Sequence, residues 1–136
     1  MSVLQLEIVT PEERIFSGNA LMVIVPGSEG GLGILPDHMP LMTRVIPGEL
    51  IITTEEGELS YAVGEGFLDV GRDSVSILSD MVIPESDIDE KAAEEAVAKA
   101  EKEMRDRILS GEELALVESS LLRSLAQLHV KRRSRR

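Results

Sequence analysis

Two groups of residues in this 136-residue chain have types and spacings that could do chemistry. The first is Gly27-Ser28-Glu29-Gly30-Gly31-Leu32-Gly33-Ile34-Leu35-Pro36-Asp37-His38-Met39-Pro40-Leu41, with four glycines, two prolines and a histidine. A loop this rich in glycine reaches backbone angles closed to other residues and could wrap a ligand, phosphate first among them. A phosphate loop, however, ends in Gly-Lys-Ser/Thr at the start of a helix. Here Gly33 leads into Ile34-Leu35-Pro36 with no lysine, which excludes that cradle. His38 could act as a general base, but no Ser, Cys or paired acid stands at a recognisable spacing from it. A histidine that pins the loop between Pro36 and Pro40 is the better account. The segment therefore reads as a contact loop whose shape is set by Gly and Pro, carried on a rigid scaffold.

The second group is basic. Lys131, Arg132, Arg133, Arg135 and Arg136 fill five of the last six positions, and Arg123 precedes them on the same predicted helix. Cations favour the negative end of a helix dipole, but five exceed what one turn can use. Both an acidic protein partner and plain solvation fit this end. Elsewhere Glu55-Glu56-Gly57-Glu58 reads as a solvated turn, and Gly64-Glu65-Gly66 and Gly71 as turns or bulges. No catalytic constellation emerges.

Composition narrows the function further. There is no cysteine, so neither a disulfide framework nor a thiolate metal site is possible. His38 and His129 are far apart in sequence, a poor start for a metal centre, and no cofactor is expected. No apolar run is long enough to cross a bilayer and the N-terminus lacks a signal pattern, so a soluble intracellular protein is expected. The net charge of −11 is uneven: residues 1–84 hold three basic residues against thirteen acidic ones, and residues 85–136 hold eleven against twelve. Such asymmetry suggests two units with different partners. Nucleic acid is excluded as a partner of the first unit, since Arg14, Arg44 and Arg72 cannot build a phosphate-binding surface.

The elements that must position these groups differ in period. Up to about Ile83 the chain reads as strands: Val3–Val9 with Leu4, Leu6 and Ile8 on one face, and Ala20–Val25 as an apolar run buried on both faces. Leu50–Thr54 and Glu58–Val63 flank one hairpin turn, and Gly66–Val70 and Ser74–Leu78 another. Short strands punctuated by Gly and Pro predict a β-sandwich or flattened barrel. After Pro84 the period becomes helical. Asp87 with Glu90, or Ser86, can cap a first helix bearing Ala93, Val97, Ala100, Met104 and Ile108 on one face. Ser110-Gly111 breaks it, and Ser110 with Glu113 can cap a second helix carrying Leu114, Val117, Leu121, Leu125 and Leu128. An antiparallel helical hairpin is predicted. Its leucine stripe needs a surface, and the first helix, the sandwich or another protein's helix could each supply one, which is what a conformational switch requires.

The Gly27–Leu41 segment closely resembles the signature of the epsilon subunit of F-type ATP synthases of the bacterial and chloroplast type. It matches every fixed position of Gly-Ser-Glu-Gly-x-Leu-Gly-Ile-x-Pro-x-His-x-Pro-Leu. Val9–Glu12, Ile15–Gly18, Thr43–Gly48, Gly66–Val70, Val75–Asp80 and Ile88-Asp89 also resemble that family. The resemblance implies a ten-stranded sandwich over residues 1–84 that docks to rotor partners, followed by a regulatory helical hairpin over residues 85–136. It implies a non-catalytic central-stalk subunit of a proton-translocating enzyme, peripheral at the cytoplasmic face of the bacterial inner membrane. The sandwich would bind the γ subunit on one side and the c-ring on another, with Ser28, Glu29, Gly30, Gly31 and His38 similar to the c-ring-facing loop. The helices would fold down on the sandwich or extend along γ toward the α and β subunits. In the extended state Arg123, Lys131, Arg132 and Arg133 would meet an acidic segment of β and restrain ATP hydrolysis. About fifty helical residues laid end to end span roughly 70 Å, enough for such a reach.

Some members of that family bind ATP at the hairpin through Ile/Leu-Asp-x-x-Arg-Ala and arginines of the second helix. This chain keeps Ile88, Asp89 and Arg123 but has Ala92 and Gln127 where two arginines are expected. Losing two guanidinium groups removes bidentate phosphate contacts, so ATP binding should be weak or absent. A nucleotide-sensing domain whose hairpin closes on ATP is thus the alternative function.

Overall fold

The structure is a computed structural model that describes residues 2–134. Arg135 and Arg136 of the basic end lie outside the described residues. Ten strands come first: β1 (Leu4–Val9), β2 (Arg14–Ala20), β3 (Met22–Gly27), β4 (Gly30–Ile34), β5 (Leu41–Val45), β6 (Gly48–Thr54), β7 (Gly57–Val63), β8 (Gly66–Val70), β9 (Ser74–Ser79) and β10 (Val82–Pro84). They form two five-stranded sheets, ordered β2-β1-β9-β8-β5 and β10-β7-β6-β3-β4. Every pairing is antiparallel except β1 with β9. Alternation decides which side chains meet: Leu4, Leu6 and Ile8 of β1 face Val23 and Val25 of β3 and Leu50 and Ile52 of β6 across one dry core. The expected ten-stranded sandwich with a following helical pair is the observed fold.

Two strand expectations change. Ala20–Val25 is not one strand buried on both faces: Ala20 ends β2, and in β3 only Val23 and Val25 are buried while Met22 and Ile24 are half-exposed. A sandwich strand is covered on its core face alone, so an apolar run need not mean double burial. Within the Gly27–Leu41 segment, Gly30–Ile34 is itself a strand that pairs with Val23–Gly27. Glycine-rich strands lack the side-chain pattern that would announce them.

The chain leaves the sandwich through a single 3-10 turn, Glu85–Asp87, into α1 (Glu90–Asp106) and α2 (Gly111–Ser134). The cap of α1 is Asp89, whose Oδ1 accepts from the Ala92 amide at 3.1 Å, rather than Asp87 or Ser86. The 3-10 turn uses Ser86 and Asp87 and so displaces the helix start. Ser110 caps α2 as expected, its Oγ accepting from the Glu113 amide and donating to the Glu113 carboxylate, both at 3.1 Å. The connection is four residues, Arg107–Ser110, and Ile108 is fully exposed there instead of lying on the α1 face. Asp89→Ala should cost about 1 kcal/mol of hairpin stability, read as faster amide exchange in the first turn of α1 with the sandwich amides unchanged; equal exchange rates would refute the capping role.

The second helix is covered on two sides rather than along one leucine stripe. Ser124, Ala126, Leu128 and Val130 are buried, whereas Leu125 is exposed and Leu114, Val117 and Leu121 are half-buried. On one side Val130 joins Ala62 of β7 and Ile88 in a small apolar seam flanked by Met81 and Ile83. On the other side α2 lies along α1. The hairpin is thus folded down on β6 and β7.

Candidate functional site

The first candidate is the tip joining β3 to β4. Gly27 pairs with Gly30 across Ser28-Glu29, and Gly30 takes φ 110°, a conformation that closes the hairpin and that a β-carbon would strain. Ser28, Glu29, Gly30 and Gly31 are all exposed, so the tip presents a hydroxyl, a carboxylate and open backbone. Leu41 and Thr43 of β5 stand beside it and complete a shallow depression of about 520 Å³.

His38 is not at this tip. Leu32–Ile34 of β4 and then Leu35–Asp37 lie between Gly31 and His38, so the rest of β4, about 10 Å of extended strand, separates them. It sits half-buried in the β4–β5 connection, after Asp37 at φ 66°, and its Nδ1–H donates to the Met39 carbonyl at 2.7 Å. That bond ties the imidazole to the backbone of the neighbouring residue.

The outer face of β5, β8 and β9 carries an apolar patch that sequence reasoning missed. Phe67 of β8 is 58% exposed, with Leu78 of β9 directly opposite it and Arg44 of β5 on its other flank. Met42, on the same outer face two residues before Arg44, is more exposed still. The signal was present in Gly66–Val70: alternation places Phe67 and Asp69 outward and Leu68 and Val70 inward. Exposed aromatic and methionine side chains grouped on one sheet face mark a contact surface.

The second candidate is the basic end of α2, where carboxylates of the same chain hold each described cation. Lys131 Nζ lies 3.3 Å from Glu85. Arg132 reaches Glu90 at 3.3 Å and Glu94 at 3.0 Å on α1. Arg133 donates from Nε to Glu49 of β6 at 2.6 Å and lies 3.4 Å from Glu58 of β7. Glu49 is the most enclosed of these acids, its side chain 8% exposed; Ser60 Oγ also donates to it at 2.6 Å, and His129 Nε2 lies 3.6 Å away. The fields agree with the geometry. Hydrogen bonds from Ser134 and Lys131 lower the Glu85 pKa, bonds to Glu94 and Glu90 raise that of Arg132, and the bond to Glu49 raises that of Arg133.

The residues that resemble a nucleotide motif are occupied by structural tasks and do not converge. Ile88 is buried in the apolar seam and Asp89 caps α1. Arg123 faces Asp80 at 3.8 Å, and Gln127 Nε2 lies 3.6 Å from Met81 Sδ. Because Arg132 is the residue opposite Glu90, Arg123 stands nine residues further back along α2, about 14 Å from the start of α1. Among the described residues no group of three or more His, Cys, Asp and Glu could hold a metal ion, and no helix is long and apolar enough to cross a membrane.

Comparison with known proteins meets this geometry along the whole chain. Residues 3–85 match the family described as ATP synthase, Delta/Epsilon chain, beta-sandwich domain, and residues 86–132 match its long alpha-helix domain. The ATP synthase epsilon chain of Halorhodospira halophila is 42% identical over 130 residues, covering 94% of this chain and 92% of the relative. That of Bordetella avium is 43% identical over 136 residues, covering 99% and 96%. Among solved structures, a chain of the Euglena gracilis mitochondrial ATP synthase superposes with a TM-score of 0.81 at 20% identity, covering 95% of this chain and 81% of that one. A chain of the Tetrahymena thermophila mitochondrial enzyme gives 0.60 at 13% identity, covering 96% and 95%. The two low-identity superpositions speak for the fold; the two curated relatives and the paired domain matches carry the assignment. The chain belongs to the delta/epsilon chain family of ATP synthases.

Proposed function

We propose that this ATP synthase subunit is a non-catalytic part of the central rotor. In this account residues 1–84 dock it and residues 85–136 restrain ATP hydrolysis. Ser28, Glu29, Gly30, Gly31 and His38 contact the c-ring, and the Met42, Phe67 and Leu78 face contacts γ. The observation that carries the regulatory half is the concentration of Lys131, Arg132 and Arg133 at one end of a helix that rests on the sandwich through a small seam. A helix held by so little apolar area can leave it, and its free basic end, with Arg123 behind it, then meets an acidic segment of β. In this account the subunit sits peripherally at the cytoplasmic face of a bacterial inner membrane, and coupling is to protons.

Deleting residues 111–136 tests the regulatory half. ATP hydrolysis by the assembled enzyme should rise by roughly fivefold when a restraint of about 1 kcal/mol is removed. Unchanged hydrolysis with normal assembly would end this account. The nucleotide-sensing alternative is weakened by the commitments of Arg123 and Gln127 to Asp80 and Met81 of the sandwich. Titration of the isolated chain with ATP should give no binding tighter than about 1 mM; micromolar affinity by calorimetry would restore that alternative.

A further inference from the structure

The sandwich carries ten more negative than positive charges, yet none of its own arginines is among the cations that reach Glu49 and Glu58. Among the described residues the guanidinium that reaches them comes from α2: Arg133 bridges both carboxylates, and the His129 imidazole lies against Glu49. Glu49 is also the direct cross-strand partner of Ala62, which packs against Val130 in the apolar seam. One pair of neighbouring sheet residues therefore supplies both an ionic clamp and the apolar contact for the same helix. Lifting α2 would expose Ala62 and Glu49 together, so the apolar contact and the short ion pair to Arg133 are lost in one step. The remaining pairs are more exposed and contribute less individually.

We propose that Glu49, seconded by Glu58 and Glu85, is an internal decoy for the acidic partner: it sequesters Arg133 and its neighbours, so the docked and inhibitory states compete for the same cations. The inference rests on the inhibitory role assigned to the basic end, and it adds what holds that end in reserve. Because Arg133 serves both states, acid and base substitutions have unequal consequences. Glu49→Gln frees the helix and leaves every cation available for inhibition. Arg133→Gln frees the helix equally but removes one of the cations that inhibit.

Val130 is fully buried and the chain has no cysteine, so Val130→Cys in the full chain provides one thiol whose alkylation reports lifting of α2. Both Glu49→Gln and Arg133→Gln in that background should speed alkylation by about tenfold. In the absence of either substitution, alkylation should accelerate as salt is raised from about 0.05 to 0.5 M, since salt screens the clamp. Alkylation that ignores Glu49→Gln, or that slows with salt, overturns the decoy. This readout involves no partner, so it decides the clamp even if deletion of residues 111–136 leaves hydrolysis unchanged. In the assembled enzyme Glu49→Gln should deepen inhibition by roughly threefold and Arg133→Gln should not. Equal effects of the two on hydrolysis would mean that the cations are not shared.

Discussion

Phe67→Glu should weaken binding of the chain to γ by about 100-fold or more, the loss of one aromatic hot spot plus a desolvated charge. The reasoning starts from the strand. In β8 alternation sends Phe67 to the outer sheet face, where it is 58% exposed and flanked by Arg44 and Leu78. The core does not use its ring, so the substitution should leave thermal stability nearly unchanged. A rigid aromatic with a leucine, an arginine and an exposed methionine near it has the composition of an interface centre rather than of bare surface. Calorimetry or surface binding to a γ–c-ring assembly would give the affinity, with a melting curve on the free chain as control. Affinity within threefold of the unsubstituted chain would move the γ contact to another face.

One position along, the same strand gives the opposite result. Leu68→Ala should lower stability by about 3 kcal/mol, and the melting temperature by about 10 °C, without touching either proposed partner surface. Leu68 is fully buried, pairs with Ile77 on β9 and Thr43 on β5, and lies among the largest side chains of the core. Truncation removes transfer free energy and leaves a cavity that two hydrogen-bonded sheets cannot close. A loss below about 1 kcal/mol would mean that the core relaxes far more than a sandwich should. Together Phe67 and Leu68 separate the two tasks of β8, since neighbours in a strand face opposite sides.

What could be seen in the chain beforehand followed the strength of local signals. The alternation of Leu4, Leu6 and Ile8, the turns at Glu55–Gly57 and Gly71–Asp73, and the capping pair Ser110–Glu113 are encoded within a few residues, and each appears where expected. Gly30–Ile34 was hidden because three of its five residues are glycine, leaving almost no pattern to alternate. The start of α1 was misplaced because Ser86, Asp87 and Asp89 can all cap, and only the 3-10 turn selects among them. The division of the Gly27–Leu41 segment into a tip and a distant His38 followed from the same concealed strand.

The amino-acid sequence alone determined the two-part order of strands then helices, the acidic first unit, the basic helix end, the lack of a phosphate-binding lysine and the family resemblance. Periodicity, charge and short turn motifs are properties of adjacent residues, so no partner from elsewhere in the chain is needed to express them. Only the tertiary structure decided where those charges go. Arg133 meets Glu49 across 84 positions and Lys131 meets Glu85 across 46, contacts that exist because α2 folds back over β6 and β7. The apolar stripe of α2 could have been satisfied by several surfaces, and a one-dimensional pattern cannot rank them. Packing ranked them, through the small side chains of Ala62, Ser124 and Ala126 that let the helix approach both α1 and the sheet.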